Sequence, residues 1–281
     1  MPSIKNLFRG IGMNNSVIEF NWVGSQENFV DKIDISNFSY VSLGRFGGNS
    51  KAGQYKNEDA CLIWLDPFKT WEFTVIMDAH NTALSAELVL QQLERGKKDI
   101  QALIILPIDQ AFREIESTLL SLFQEEQFLE DCRKVQGETA CLIVLRKDKY
   151  IWWFSVGDCI SMIFHEELAK LGQYEINQRQ FYEWIGQVNT FNQAIPCYSS
   201  GIRELRKSVN RIFLTTDGLI ECPNEPFSSG KKISSIMNFK EIDAGLTMLL
   251  QTVKDNHVRD STTVICWDVN ITQEVTEPSD A

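Results

Sequence analysis

The sequence predicts an α+β protein whose antiparallel β-sheets are covered by helices. Short apolar runs with period-2 patterning, the mark of half-buried strands, recur along the 281 residues. Helical periodicity is confined to a few blocks instead of following each strand. Strict βαβ alternation, which a doubly wound parallel sheet requires, is missing from the pattern.

The elements follow in order. Residues 1–37 are weakly patterned and read as an N-terminal extension to a domain spanning 38–270. Residues 38–43 alternate like a strand, and a Gly-rich loop covers 44–53. Strands are expected at 60–65 and at 71–77, the second ending on Asp78. A helix over 83–93 has Asn81 or Thr82 as N-cap and Gly96 as its stop. Pro107 suits the first turn of a longer amphipathic helix over about 109–132, with Phe112, Ile115, Leu119, Leu122 and Phe123 on its apolar face. Strands at 138–146 and 150–156 follow, and Gly157-Asp158 between two apolar runs signals a hairpin. Residues 165–210 are polar and irregular, with a short helical piece near 178–186, and read as a surface insertion. A strand over 211–216 leads into Asp217, a helix covers 239–257, and a last strand covers 261–269. The acidic tail, 271–281, is expected to be disordered.

Composition removes several function classes. Lys+Arg number 27 against 38 Asp+Glu, a net charge of −11. A nucleic-acid footprint wants a basic stripe, and anionic membrane surfaces want polybasic segments, so neither partner is expected. The seven cysteines are odd in number, scattered and without a CxxC pair, which reads as reduced thiols in a cytoplasmic protein. No apolar run approaches the ~20 residues of a membrane span, and the N-terminus lacks the apolar core of a signal peptide.

Four acids carry the chemistry: Asp59, Asp78, Asp217 and Asp260 each adjoin an apolar run at a strand start or end. Carboxylates at the edge of buried strands need something to offset their desolvation. Glu58, beside Asp59, and Asp158, at the expected hairpin tip, extend the set to six. With the last strand antiparallel to the other two, Asp78, Asp217 and Asp260 would reach one sheet edge. Oxygen-only ligation without Cys/His spacing favours Mg²⁺ or Mn²⁺ over Zn²⁺. Several carboxylates together suggest two metals, a pair able to clamp a phosphoryl group and activate a water.

In order, Asn57-Glu58-Asp59-Ala60, Met77-Asp78-Ala79-His80, Gly137-Glu138-Thr139-Ala140, Val156-Gly157-Asp158-Cys159, Thr216-Asp217-Gly218-Leu219 and Asp260-Ser261-Thr262 resemble the motif series of the metal-dependent type-2C (PPM) serine/threonine protein phosphatases. The resemblance implies an αββα sandwich of two antiparallel sheets flanked by helices. It also implies attack of a metal-bridging water on phosphoserine or phosphothreonine in a protein substrate. Asp78 would then bridge two Mn²⁺ or Mg²⁺ ions. Asp217 and Asp260 would complete the first site, and Glu58 with the Ala79 carbonyl would serve the second. Asp59 would hold metal-bound water, Asp158 with Asp217 would serve a looser third ion, and His80 matches the general acid.

Two departures are visible. Asp78-Ala79-His80-Asn81-Thr82 lacks the glycines that follow this aspartate in the family, and Gln54 stands where the family carries its phosphate-gripping arginine. Gln offers one neutral donor in place of a charged bidentate pair; Lys56 or Arg45 would have to supply the missing charge. These departures leave open a second reading, a catalytically weak or inactive phosphatase-like binding or regulatory module. Cys159, His165, His257 and the Trp152-Trp153 pair read as structural or merely exposed residues.

Overall fold

The period-2 runs form two antiparallel sheets packed face to face in a computed structural model that describes residues 16–238 and 241–276. Along the chain the strands are β1 (Ile18–Val23), β2 (Ile33–Phe38), β3 (Val41–Phe46), β4 (Ala60–Leu65), β5 (Trp71–His80), β6 (Glu138–Lys147), β7 (Tyr150–Val156), β8 (Ile160–Phe164), β9 (Ile185–Gly186), β10 (Ser199–Glu204), β11 (Ser208–Thr215) and β12 (Thr262–Ile271). The helices are α1 (Leu84–Ile104), α2 (Ile108–Phe123), α3 (Glu126–Lys134), α4 (Glu166–Lys170), α5 (Gly230–Met237) and α6 (Ile242–Asp255). The first sheet runs β1-β4-β5-β6-β7-β10, with β9 added on β6; the second runs β2-β3-β12-β11-β8. Among the described residues no helix is long and apolar enough to cross a membrane.

Alternation along the strands splits the apolar side chains among three cores, as the αββα order requires. Leu62, Trp64, Phe73, Val75 and Ile143 face outward from the first sheet onto α1, α2 and α3. Ile63, Ile76, Leu142, Ile212, Ile265 and Trp267 fill the space between the sheets. Phe213, Val264 and Cys266 face the other way, onto Ile233, Leu246 and Leu250 of α5 and α6.

Several expectations are corrected. The extension expected over 1–37 is part of the sandwich from Ile18 onward, because β1 pairs with β4 and β2 pairs with β3; residues 1–15 lie outside the described ones. The strand expected at 38–43 is instead the end of β2, a turn with Ser39 at φ 60, and the start of β3. Gly96 does not stop its helix, since α1 continues to Ile104. A Cβ at Gly96 would meet Leu122 Cδ1 at 2.5 Å, so the glycine marks where α1 and α2 approach closely. The helix expected over 109–132 is broken into α2 and α3. The buried Gln92 donates to Leu122 O at 2.7 Å and to Glu125 Oε2 at 2.9 Å, satisfying a terminal carbonyl of α2 at the break.

The Gly157-Asp158 hairpin does not form: β7 lies in the first sheet and β8 in the second, so these residues carry the chain across the sandwich. Gly157 takes φ +89, and a Cβ there would meet Ala140 Cβ at 2.5 Å. Residues 178–186 are turns ending in β9, not helix. The helix expected over 239–257 is α6; residues 239 and 240 lie outside the described ones, and α5, absent from the sequence reading, precedes them. Of the tail expected to be disordered, Ile271 belongs to β12 and Thr276 N bonds Glu204 Oε1 at 3.0 Å, whereas 277–281 lie outside the described residues.

One end of the sandwich is clamped by a buried charge. Glu72 on β5 is fully buried; its Oε2 accepts from Arg146 Nε at 2.6 Å and from Trp267 Nε1 at 3.1 Å. Its Oε1 accepts from Tyr40 OH at 2.6 Å and from Arg146 Nη2. Trp267 lies on β12 and Tyr40 on the turn joining β2 to β3, so the carboxylate joins the layers. Glu72→Ala strands the Arg146 guanidinium without its counter-charge and is expected to cost about 3–5 kcal/mol, measured by urea unfolding.

Candidate active site

The strand-end acids meet at the opposite end, between the sheets. Asp78 lies within β5 and pairs across to Ala140 on β6, extending the strand past the 71–77 apolar run. Asp217 follows β11 and Asp260 precedes β12, two neighbours in the second sheet. Asp78 thus arrives from the other sheet, not from a shared edge. Each of the three offers a carboxylate oxygen, and these oxygens lie within 4.8 Å of one another.

Glu58, Asp59 and Asp158 border this cluster in different ways. Asp59, at the start of β4, is 1% exposed, and its Oδ2 accepts from Thr216 Oγ1 at 3.2 Å and Thr263 Oγ1 at 2.6 Å. Both threonines sit on the second sheet, so Asp59 ties the layers together here. Glu58 Oε1 is paired with the Lys56 ammonium, which also donates to Asn81 O at 2.5 Å. Asp158 sits on the crossing between sheets and is buried. Asp78 Oδ2, Asp158 Oδ1 and Asp217 Oδ1 are buried without a hydrogen-bond partner.

Burial governs the electrostatics. It pushes the Asp78 carboxyl well above the usual range, and the charges of Asp217, Asp59 and Asp260 push it further. Asp59 is likewise raised by burial, against the lowering hydrogen bond from Thr263. Asp217 is pushed up to about 7 by burial, with Asp260, Asp158 and Glu221 adding to it. Asp158 is raised by burial while Arg179 opposes the rise. Buried like charges with unpartnered oxygens and no nitrogen or sulfur donor suit a hard divalent cation. Asp78, Asp217 and Asp260 bring their oxygens close enough together for one ion, and Glu58 and Ala79 line the adjoining groove.

That groove, of about 420 Å³, is lined by Gln54, Lys56, Glu58, Ala79, His80, Asn81, Arg259 and Asp260. His80 ends β5, half-buried, with the Trp184 ring edge-on at 4.9 Å. The missing glycines after Asp78 cause no strain at Ala79, which stays in the strand; the left-handed residue is Asn81, φ 73, a type that tolerates this region. Arg45 is not available to the groove. Its guanidinium pairs with Asp34 at 2.5 Å and is 4.4 Å from the Phe29 ring centroid and 4.9 Å from that of Trp22. Sequence reasoning missed two arginines, Arg259 beside Asp260 and Arg179 in the insertion; adjacency to an acid at a strand start was the available signal for the first. Cys159 is fully buried and its thiol is pushed well up. His165 caps α4 by accepting from Glu167 N at 3.2 Å, and His257 is exposed.

The model of one protein family, described as Protein phosphatase 2C, matches residues 82–255, more than half of the chain. Among solved structures, a bacterial serine phosphatase is 17% identical with TM-score 0.64, over 83% of this chain and 98% of that one. The serine/threonine phosphatase Stp1 from Staphylococcus aureus is 16% identical with TM-score 0.59, over 95% of this chain and 100% of its own. The catalytic domain of the serine/threonine protein phosphatase PstP, in complex with 2 manganese ions, is 12% identical with TM-score 0.55, over 91% and 100%. At these identities the likeness is one of fold. Comparison with curated protein sequences yields no match.

Asp217 makes the metal-free protein sensitive to pH in a defined direction. Folded, it holds its proton up to about 7, against an ordinary value of 3.8. The folded state therefore binds more protons between these values, and stability must fall as pH rises through them. Asp59, Asp78 and Asp158, raised by the same burial, act in the same direction; thermal unfolding in a chelator is expected to show Tm decreasing across that window, and Asp217→Asn to make the decrease shallower.

Proposed function

The chain belongs to the protein phosphatase 2C family, and from that premise we propose that it is a metal-dependent phosphomonoester hydrolase acting on phosphoserine and phosphothreonine in proteins. The observation that carries this reading is the convergence of Asp78, Asp217 and Asp260, with buried unpartnered oxygens on the first two and Asp260 lining an open groove. Asp78, Asp217 and Asp260 would hold one Mn²⁺ or Mg²⁺; Asp78 again, Glu58 and the Ala79 carbonyl would hold a second. When bound, such ions supply Lewis-acid activation of a water and neutralise charge on the phosphoryl group.

The remaining roles fall to side chains. Asp59, held by Thr216 and Thr263, orients water at the cluster. His80 on the groove wall donates a proton to the leaving alkoxide, a task for which imidazole is suited near neutral pH; Trp184 limits its rotation. Gln54 offers an amide to the phosphate, and Lys56 and Arg259 line the same groove and add positive charge. With Lys56 also engaged by Glu58, the charge that Gln54 does not supply falls to Arg259. The unpaired thiols support a cytoplasmic location, where reducing conditions hold them free.

A second reading, a phosphatase-like binding or regulatory module, is favoured by Gln54 alone. The two separate experimentally. Hydrolysis of a phosphopeptide and of p-nitrophenyl phosphate is expected to require Mn²⁺ or Mg²⁺. Asp78→Asn and Asp217→Asn should each lower kcat by about 10²-fold or more, the scale on which losing charge stabilisation acts. A folded protein that binds Mn²⁺ but turns over neither substrate establishes the module instead. Gln54→Arg is expected to lower KM for the phosphopeptide by about tenfold, the equivalent of one charge-assisted hydrogen bond.

A further inference from the structure

The insertion over 165–210 is not confined to the surface. Residues 177–181 lie against the crossing segment that carries Asp158. Asn177, buried, donates to Cys159 O at 2.8 Å and to Ser155 Oγ at 3.1 Å, and accepts from Ser161 N at 2.7 Å. Gln180 N donates to Gly157 O at 2.8 Å. Between these anchors, after Gln178, stands Arg179, whose side chain is 20% exposed. Its Nη2 stands 2.9 Å from Glu221 Oε1 and 3.9 Å from both Asp158 Oδ2 and Asp217 Oδ2. The Phe181 ring centroid lies 4.7 Å from the guanidinium carbon and braces it.

Arg179 is therefore a fixed charge on a pinned backbone, unlike a surface arginine that must surrender rotamer freedom to form a pair. It faces one oxygen of Asp158 and one of Asp217, while the other oxygen of each is buried and unpartnered. We propose that Arg179 is the resident cation of the corner formed by Asp158, Asp217 and Glu221, so that this guanidinium and a divalent ion compete for the same carboxylates. The proposal rests on the reading of the inner cluster as a metal site. It replaces the looser third ion expected of Asp158 and Asp217 with a charge supplied by the chain. A guanidinium neutralises carboxylates but binds no water as a Lewis acid, so this corner is structural while Arg179 holds it. An ion entering there must displace Arg179 and loosen the segment that leads to Trp184 and His80.

Counting bound Mn²⁺ per chain by electron paramagnetic resonance of the free ion tests this without reference to turnover. Arg179→Ala and Arg179→Gln are each expected to bind one more Mn²⁺ than the parent protein, and adding Asp158→Asn to either should remove that ion. Arg179→Gln keeps a side chain of similar reach, so the count does not hang on a truncated residue, and circular dichroism checks that each variant is folded. Arg179→Lys, which keeps the charge, is expected to match the parent. Equal uptake by the parent and both neutral variants overturns the proposal and leaves the metal reading standing. So does an additional ion that survives Asp158→Asn. No uptake by any of these proteins overturns both.

Discussion

The structure is organised around the cost of placing like charges between two apolar sheets. Burial drives the carboxyls of Asp59, Asp78 and Asp217 upward, which means that each resists ionisation where it stands. The fold offsets this unevenly. Asp59 receives two threonine hydroxyls, Glu58 a lysine, and Asp158 and Asp217 an arginine at the outer corner. Asp78 Oδ2, Asp158 Oδ1 and Asp217 Oδ1 are left over, buried without a hydrogen-bond partner. At the far end of the sandwich the same problem is solved completely, since the Glu72 carboxylate is matched by Arg146, Tyr40 and Trp267. One pole is a closed ion pair and the other an incomplete one, and the incomplete pole leaves carboxylate oxygens without a partner.

Much of this was legible in the sequence because strand-end carboxylates conflict with apolar runs on each side. Asp78 and Asp217 stand out in that way, and antiparallel sheets covered by helices follow from runs that alternate with period two, whereas the αββα order is what the family resemblance implies. What escaped the sequence had identifiable causes. β1 and β2 carry polar residues on their exposed faces, and their burial depends on partners β4 and β3 that local pattern does not reveal. Gly96 and Gly157 both resemble punctuation, yet each is a place where another segment comes too close for a Cβ. A glycine stop and a glycine contact look identical in one dimension. Arg179 was invisible because its partners lie in other elements, and Arg45, on β3, looked available because its aromatic cage is assembled from β1 and the loop between β1 and β2.

Low identity to structures of the same fold follows from the same physics. The cluster asks for carboxylates at a few backbone positions held by strand register, and the cores ask only for apolar volume in the right periodicity. Neither demand specifies much sequence. Residues around the groove, such as Gln54, Asn81 and Trp184, lie in loops or at element ends, where substitution leaves the layers intact.

The second sheet has β12 at its centre, flanked by β3 from near the start of the described chain and by β11. On the ribosome, the first sheet and its helices are complete well before β12 emerges, while the second has a gap through its middle. Until that gap closes, β3 and β11 present open edges, the surfaces from which nascent chains pair wrongly. Asp260 arrives with the strand that fills it, so sheet closure and assembly of the acid cluster are one event. A partly synthesised chain therefore lacks the acid cluster as well as the finished fold, and a truncation before β12 abolishes both together.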